Sequence, residues 1–441
     1  MSGLPRGWFE DEASTICELV QSGGTPKEGF IDKPGVPFLK VYNIVDQKID
    51  FEYRPQFIDA DIHRSSMAKS QALPGDVLMN IVGPPLGKVA VIPCSFPTWN
   101  VNQALTIFRP SEALTSEWLY YFLCGGDSVK SVINETRGSA GQVNISLSQC
   151  RAFKLPLPPL AEQKRIVAKL EALNAKSARA RTELARIETL VSRYKQAVLS
   201  KAFSGELTRS KVRFGEFINS AENGLSKREG DDGEWTNVLR LTDLKQGQFA
   251  PEEPRQIKLT NKEIEKYRLS EGELVVIRVN GSANLVGRTF CFKAGDVWAF
   301  CDHFIRISLK PTLDPDFAVL FLNCPPIRSI IERKFVSTSG QKTISQKSLE
   351  NLPAPETSLE EQHEIVRRIE SAFAKIDRLA QEAKRALKLV GRLDEAILAK
   401  AFRGELVPQD ENDEPAERLL ARIRAEREAA PQRKRGRGAR R

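Results

Sequence analysis

Only three histidines, His63, His303 and His363, occur in 441 residues, far apart and in unlike contexts. That scatter offers neither a metal-ligand pattern nor a histidine-centred nucleophile triad. Cysteine is also sparse. The seven thiols form no C-x-x-C pair, and their odd number argues against a disulfide framework or a zinc site. No G-x-x-x-x-G-K-[ST] loop is present; GGTPK at 23–27 falls short of one. Pro84-Pro85 and Pro325-Pro326 lack the flanking polar and aromatic residues that would hold a base amino group, and no glycine-rich cofactor loop accompanies them. No stretch approaches the roughly 18 unbroken apolar residues that cross a bilayer, and MSGLPRGWFEDE carries no apolar leader. These absences predict a cytoplasmic, non-catalytic chain that itself binds neither metal nor cofactor.

The net charge is +9, but it is unevenly spread. Residues 1–150 hold 12 Lys and Arg against 16 Asp and Glu, 151–210 hold 13 against 5, 211–350 hold 21 against 19, and 351–441 hold 20 against 17. Six of the last segment's cations sit in PQRKRGRGARR, which has too little apolar content to fold alone. A uniformly basic clamp is therefore excluded. The +8 segment could run beside phosphates or meet an acidic partner face.

What the chain does have is a repeat. Leu160–Leu207 aligns with Leu359–Leu406 at a constant shift of 199, without a gap and with 22 identities in 48 positions. GQVNIS (141–146) matches GQKTIS (340–345), and fainter echoes run upstream, such as LGKVAVI (86–92) against VGRTFCF (286–292). A tandem duplication is the simplest reading.

Each well-matched region follows a proline cluster and then runs about thirty residues without Pro or Gly, which predicts a helix of roughly 44 residues, ~66 Å long. A 3-4 apolar spacing picks out Ile166, Leu170, Leu173, Ser177, Ala180, Leu184, Ile187, Val191, Tyr194 and Val198 in the first helix. In the second it picks out Ile365, Ile369, Ala372, Ile376, Leu379, Ala383, Ala386, Val390, Leu393 and Ile397, and Gly205 and Gly404 are the expected stops. Such a stripe needs a partner, and the best-matched one in the chain is its own duplicate. The expected fold is α+β: two α/β heads separated and joined by two long helices packed as an antiparallel coiled coil, a pseudo-two-fold internal repeat. The expected divisions are 1–155, 156–207, 208–354, 355–407 and 408–441: head, helix, head, helix, and a helical segment with a basic tail. Unlike heads on a rigid spacer suit two different DNA half-sites, since readers on one face of a duplex meet successive grooves about 34 Å apart.

The chain resembles the specificity subunits of type I restriction-modification systems. The resemblance rests on LPRGW at the start, GGTP (23–26), GQ-x-x-IS before each helix, PLPPL-x-EQ-x-x-I (156–166) with SLEEQHEI (358–365), and KAF-x-GEL at each helix end; NGLSK (223–227) departs from GGTP. It covers nearly the whole chain. It implies two target recognition domains, a bipartite DNA target, two adenine methyltransferase subunits and two ATP-dependent motor-nuclease subunits, with S-adenosylmethionine, ATP and Mg2+ on those partners. A protein-binding coiled-coil scaffold is the rival.

DNA reading needs cationic and polar side chains at groove edges and phosphates. Candidates in the first head are Lys27, Arg64, Lys69, Lys88, Arg137, Ser139 and Gln142; in the second they are Arg255, Lys258, Lys262, Arg278, Asn280, Arg288 and Lys342. Leu160, Glu162 and Gln163, with Leu359, Glu361 and Gln362, are candidates for docking the methyltransferase, unless they only cap their helices.

Overall fold

The computed structural model describes residues 3–32, 35–137, 144–207, 211–245, 248–338 and 340–429. The long elements form where proline is missing, and they run through Gly205 in the first and Gly391 in the second. Leu160–Leu207 is one helix of 48 residues and Leu359–Phe402 another of 44. The chain divides into two compact units, Met1–Thr182 with Leu387–Arg441 and Glu183–Ala386, so each long helix contributes to both.

The first unit holds a four-stranded antiparallel sheet in the order Val89–Val91, Val77–Asn80, Leu105–Arg109, Leu19–Ser22. A second sheet, five strands in the order Phe30–Ile31, Phe57–Ile58, Val36–Leu39, Trp99–Val101, Gln71–Ala72, is mixed, with its third and fourth strands parallel. Phe9–Glu12 pairs with Lys154–Leu157 and so ties the two ends of this head together just before the helix begins. The second unit repeats the plan. Its four-stranded sheet runs Thr289–Cys291, Leu274–Ile277, Phe304–Leu309, Ile218–Asn223, and a three-stranded sheet, Arg255–Leu259, Glu234–Leu239, Trp298–Phe300, again has one parallel pair. The heads are α/β and the chain as a whole is α+β.

The repeated motifs are the joints of this plan. Ile145 of GQVNIS donates its N–H to Ile81 and Ser146 then caps a short helix; Ile344 of GQKTIS donates to Arg278 and Ser345 caps in the same way. Phe402 of the second KAF-x-GEL packs edge-on against Trp118, 5.2 Å between centroids, and against Phe122. Phe203 of the first makes the matching contacts with Phe317, at 5.5 Å, and Phe321. Each head is thus held by the start of the helix that follows it and by the end of the other. This arrangement requires the helices to run antiparallel.

Within the first unit, Ile166 and Leu170 share a core with Ile397 and Ala401, and Ser177 meets Asp394. Within the second, Leu199 and Phe203 share a core with Ile369, while Lys195 pairs with Asp377 at 2.6 Å and Glu188 with Lys384 at 3.9 Å. The expected seam is buried or half-buried along both helices except at Tyr194, Leu379 and Leu393. Tyr194, Leu379 and Leu393 are more than half exposed, and Lys195, Asp377 and Asp394 take contact positions beside them.

The glycine stops behave differently from each other. Gly404 has φ +70°, and Glu405 N–H bonds back to Lys400, so it closes the second helix after Phe402. A side chain there would strike Pro5 and Trp8 of the LPRGW segment. Gly205 does not stop the first helix, which continues to Leu207. A single glycine near a helix end costs only about 1 kcal/mol relative to alanine, and the structural constraint that fixes Gly404 is the packing of the N-terminal segment on it.

Beyond the second helix, residues 405–415 return to that segment. Arg6 pairs with Glu411 and Arg165 with Asp413, both at 2.6 Å, and Ala416 N–H bonds to Gly7. The helix Ala416–Ala429 then adds Ala416, Leu419, Leu420 and Ile423 to the first core. No helix among the described residues is long and apolar enough to cross a membrane.

Candidate nucleic-acid interface

The residues at the helix starts settle first. Gln163 is buried; its amide donates to the carbonyls of Ala113 at 2.8 Å and Pro158 at 3.0 Å and accepts from Thr115 N–H at 2.9 Å. Gln362 does the same 199 residues later, donating to Thr312 and Thr357 and accepting from Asp314 N–H. Both are internal latches between helix and head. Glu162 is also buried, accepting from Trp8 Nε1 at 3.1 Å, and burial pushes its carboxyl above the usual range. Its counterpart Glu361 is exposed and closes a capping arrangement with Ser358. Leu359 is exposed and Leu160 half-buried. Of the six docking candidates, Gln163, Gln362 and Glu162 face inward.

The cationic candidates divide by what already holds them. In the first head Lys27 and Lys69 are exposed, Arg64 pairs with Asp61 at 2.6 Å, and Lys88 donates to the Ile44 carbonyl at 3.1 Å. Lys69 borders a cavity of about 370 Å³ with Gln21, Gln71 and Arg109, whose guanidinium is held by the buried Asp76 at 2.8 Å. The side chain of Arg137, and all of Ser139 and Gln142, lie outside the described residues.

The second head gathers its candidates more closely. Arg278 reaches the Asp302 carbonyl, while Asn280 and Arg288 line a cavity of about 320 Å³ together with Asn284, Leu285, Leu241, Leu244 and Ile277. Lys342 stands on the strand paired with Val279–Asn280 and donates to Gly281 O at 3.3 Å. Lys262 is exposed on a separate short helix, and Arg255 half-buried at a strand end.

Sequence reading missed a set of neighbours around Lys258. In the antiparallel pair Glu234–Leu239 and Arg255–Leu259, Trp235 stands opposite Lys258 and Asn237 opposite Gln256. Thr236, Val238, Ile257 and Leu259 turn into the core, which leaves Trp235, Asn237, Gln256 and Lys258 on the solvent face. Trp235 is 65% exposed with the Lys258 ammonium 5.5 Å from its ring, and the Gln256 amide donates to Asn237 at 3.1 Å. Stacking surface, amide donors and acceptors, and a cation are the chemistry of base-edge reading. A strand period of two starting at Trp235 was the available signal. In the first head the exposed Tyr53 lies beside Tyr42 and under Arg54, 5.3 Å from its ring.

One group of possible metal ligands occurs among the described residues, Cys301, Asp302 and His303, with ligand atoms within 4.8 Å of one another. Asp302 is already paired with Arg228 at 3.1 Å, and burial raises the Cys301 thiol above its ordinary value. His63 is buried against Asn100, and His363 lies on the second long helix 3.5 Å from Asp314.

Two α/β heads of one topology, with different exposed polar faces and each clamped by the same antiparallel helices, define a two-headed recognition protein. The type I restriction modification DNA specificity domain matches residues 5–189 and again 210–388, and the chain belongs to that family. It is 32% identical to the type I restriction enzyme StySPI specificity subunit of Salmonella potsdam, over 96% of each chain. It is 28% identical to the EcoKI specificity subunit of Escherichia coli strain K12, over 97% of each. Among solved structures it is similar to one from a study of complex assembly and conformational transition of the type I R-M system, with a TM-score of 0.67 at 21% identity, covering 91% of this chain and 99% of that one. The HsdS subunit from Thermoanaerobacter tengcongensis matches with a TM-score of 0.58 at 19% identity, covering 91% and 98%.

Proposed function

We propose that this chain is the DNA address of a type I restriction-modification complex, reading a bipartite, asymmetric target while partner subunits carry out the chemistry. The observation that carries this is the double use of one head-and-helix plan with unlike exposed faces: Trp235, Asn237, Gln256 and Lys258 stand on the strand pair of the second head, whereas the matching strands of the first, Val36–Leu39 and Phe57–Ile58, are almost wholly buried. Equal faces would read a palindrome; unequal faces read two different half-sites, with base pairs between them that neither head contacts. The near-neutral heads fit a complex in which affinity is shared with other subunits.

In this reading two methyltransferase subunits and two motor-nuclease subunits assemble on the chain in the cytoplasm, and S-adenosylmethionine, ATP and Mg2+ bind to them. The methyltransferase extrudes the target adenine and this chain selects which adenine that is. Of the helix-start candidates, the exposed Leu359 and Glu361 and the half-buried Leu160 remain available to a partner.

Mapping methylated adenines in the host genome with and without the gene tests the function. A gapped, asymmetric motif that disappears with the gene is expected. An unchanged methylation map, with co-purifying proteins that contain no methyltransferase, favours the scaffold alternative.

A further inference from the structure

Arg328 is the most unusual buried cation in the second head. It sits on the helix Pro325–Arg333, is 6% exposed, and has no carboxylate within ion-pair distance among the described residues. Its Nη2 donates to the carbonyls of Ala283 at 3.5 Å and Asn284 at 3.3 Å, while Nη1 has no hydrogen-bond partner. Burial and the neighbouring Arg288 pull its pKa down to about 10; Glu332, exposed one turn along, opposes this only partly. Burying a cation without a counter-charge is expensive and is rarely retained without a use.

Arg328 is one of three cations on one short stretch of backbone. Arg288 Nε donates to the same Asn284 carbonyl at 3.0 Å, and Lys342 Nζ reaches the Gly281 carbonyl at 3.3 Å. Neither has an ion-pair partner among the described residues. Gly287 makes the approach of Arg328 possible: at φ +75° it carries no side chain, and a Cβ there would stand 2.6 Å from Ile331 and 3.0 Å from Arg328 Nη1. Loop 281–288 is therefore supported from beneath by one unpaired guanidinium and flanked by two further unpaired cations. It adjoins the cavity that Asn280, Asn284 and Arg288 line.

The chemistry missing from this cluster is a negative charge. We propose that loop 281–284 seats a phosphate of the DNA backbone in the second head, contacted by Arg288 and Lys342, with Arg328 a positioning residue that holds the loop and adds charge from below. The inference rests on the DNA-recognition reading and adds to it a sequence-independent anchor. The first head has a weaker version. Ile133 faces Gly87 as Ile331 faces Gly287, but three residues before Ile133 stands Lys130, which is exposed, and Lys88 is directed to the Ile44 carbonyl.

The test measures binding of the full-length chain, with its co-purifying subunits, to a random-sequence 40-bp duplex and to the mapped target duplex across a salt series. Arg288→Gln and Lys342→Gln should each reduce the slope of log affinity against log salt by about 0.9, equally on both duplexes. Arg328→Met should weaken binding by ~5–10-fold, comparable to the loss of a charge-assisted contact, without lowering the melting temperature, because it removes an unpaired buried charge. Unchanged slopes in Arg288→Gln and Lys342→Gln overturn the phosphate seat. An Arg328→Met variant that binds both duplexes as tightly as the wild type overturns the positioning role of Arg328. A wild-type complex that binds neither duplex overturns the DNA-recognition reading itself.

Discussion

Ser177 Oγ donates to Asp394 Oδ1 at 2.6 Å across the helix pair of the first unit, and Arg181 holds the other carboxylate oxygen at 2.5 Å. This polar layer explains the one residue that breaks the apolar stripe of the first helix. Shifted by 199, Ser177 becomes Ile376 and Asp394 corresponds to Lys195. In the second unit the equivalent position on the first helix carries the opposite charge, and Lys195 pairs with Asp377 instead. A single polar layer in an apolar seam specifies register at some cost in stability.

Removing one member should therefore be worse than removing both. Asp394→Ala leaves a buried hydroxyl without an acceptor and is expected to destabilise the first unit by about 1–3 kcal/mol. Ser177→Ala combined with Asp394→Leu should recover much of that loss. Urea unfolding of the two variants and the wild type gives the comparison, and a double variant no more stable than Asp394→Ala would count against a specific pair.

The glutamine latches give a paired prediction. Gln163→Leu removes three internal hydrogen bonds in the first unit and Gln362→Leu three in the second. Each change strands buried backbone groups, for a loss of ~2–4 kcal/mol. Calorimetry should show both variants melting earlier. If either were primarily a partner contact, the isolated chain would melt like the wild type and only assembly would suffer.

Glu162 makes a pH prediction. Its folded pKa is raised by burial above the ordinary value, with Trp8 and Arg165 opposing and Asp413 adding to the rise. The charged form is disfavoured in the fold, so its contribution worsens as pH rises from the unfolded to the folded pKa and stays unfavourable above the latter. Glu162→Gln keeps an acceptor for Trp8 Nε1 and removes the charge. It should raise the melting temperature at pH 7 to 8, with the gain shrinking as pH falls towards 4. A variant less stable than wild type at pH 8 would contradict this account.

The exposed strand face of the second head predicts a one-sided loss of specificity. Trp235→Ala or Gln256→Ala should weaken target binding by ~1–2 kcal/mol, roughly tenfold, through lost cation–π and hydrogen-bonding groups. Methylation mapping should show one half of the motif relaxed and the other unchanged. Equal relaxation of both halves would argue that the variant disturbs the complex rather than one reader.

Much of the architecture was legible from the chain's own self-similarity. A 199-residue shift with 22 matches in 48 positions requires two copies of one helix, and the proline clusters place where each begins. The GQ-x-x-IS and KAF-x-GEL motifs marked the joints, because local capping and a single large aromatic are properties a short segment carries by itself. Tertiary structure alone decided which of two identical-looking residues has which job. Gln163 resembles any polar residue on a solvated helix until Ala113 and Thr115 surround it, and Glu162 and Glu361 share a motif yet one is buried and the other exposed. Arg328, inside an ordinary amphipathic helix, gave no sign of carrying an unpaired charge beneath a loop 40 to 47 residues earlier. The physical reason is one of range: helix length, caps and repeats are set by neighbours in sequence, whereas burial and charge pairing depend on what distant segments bring into contact.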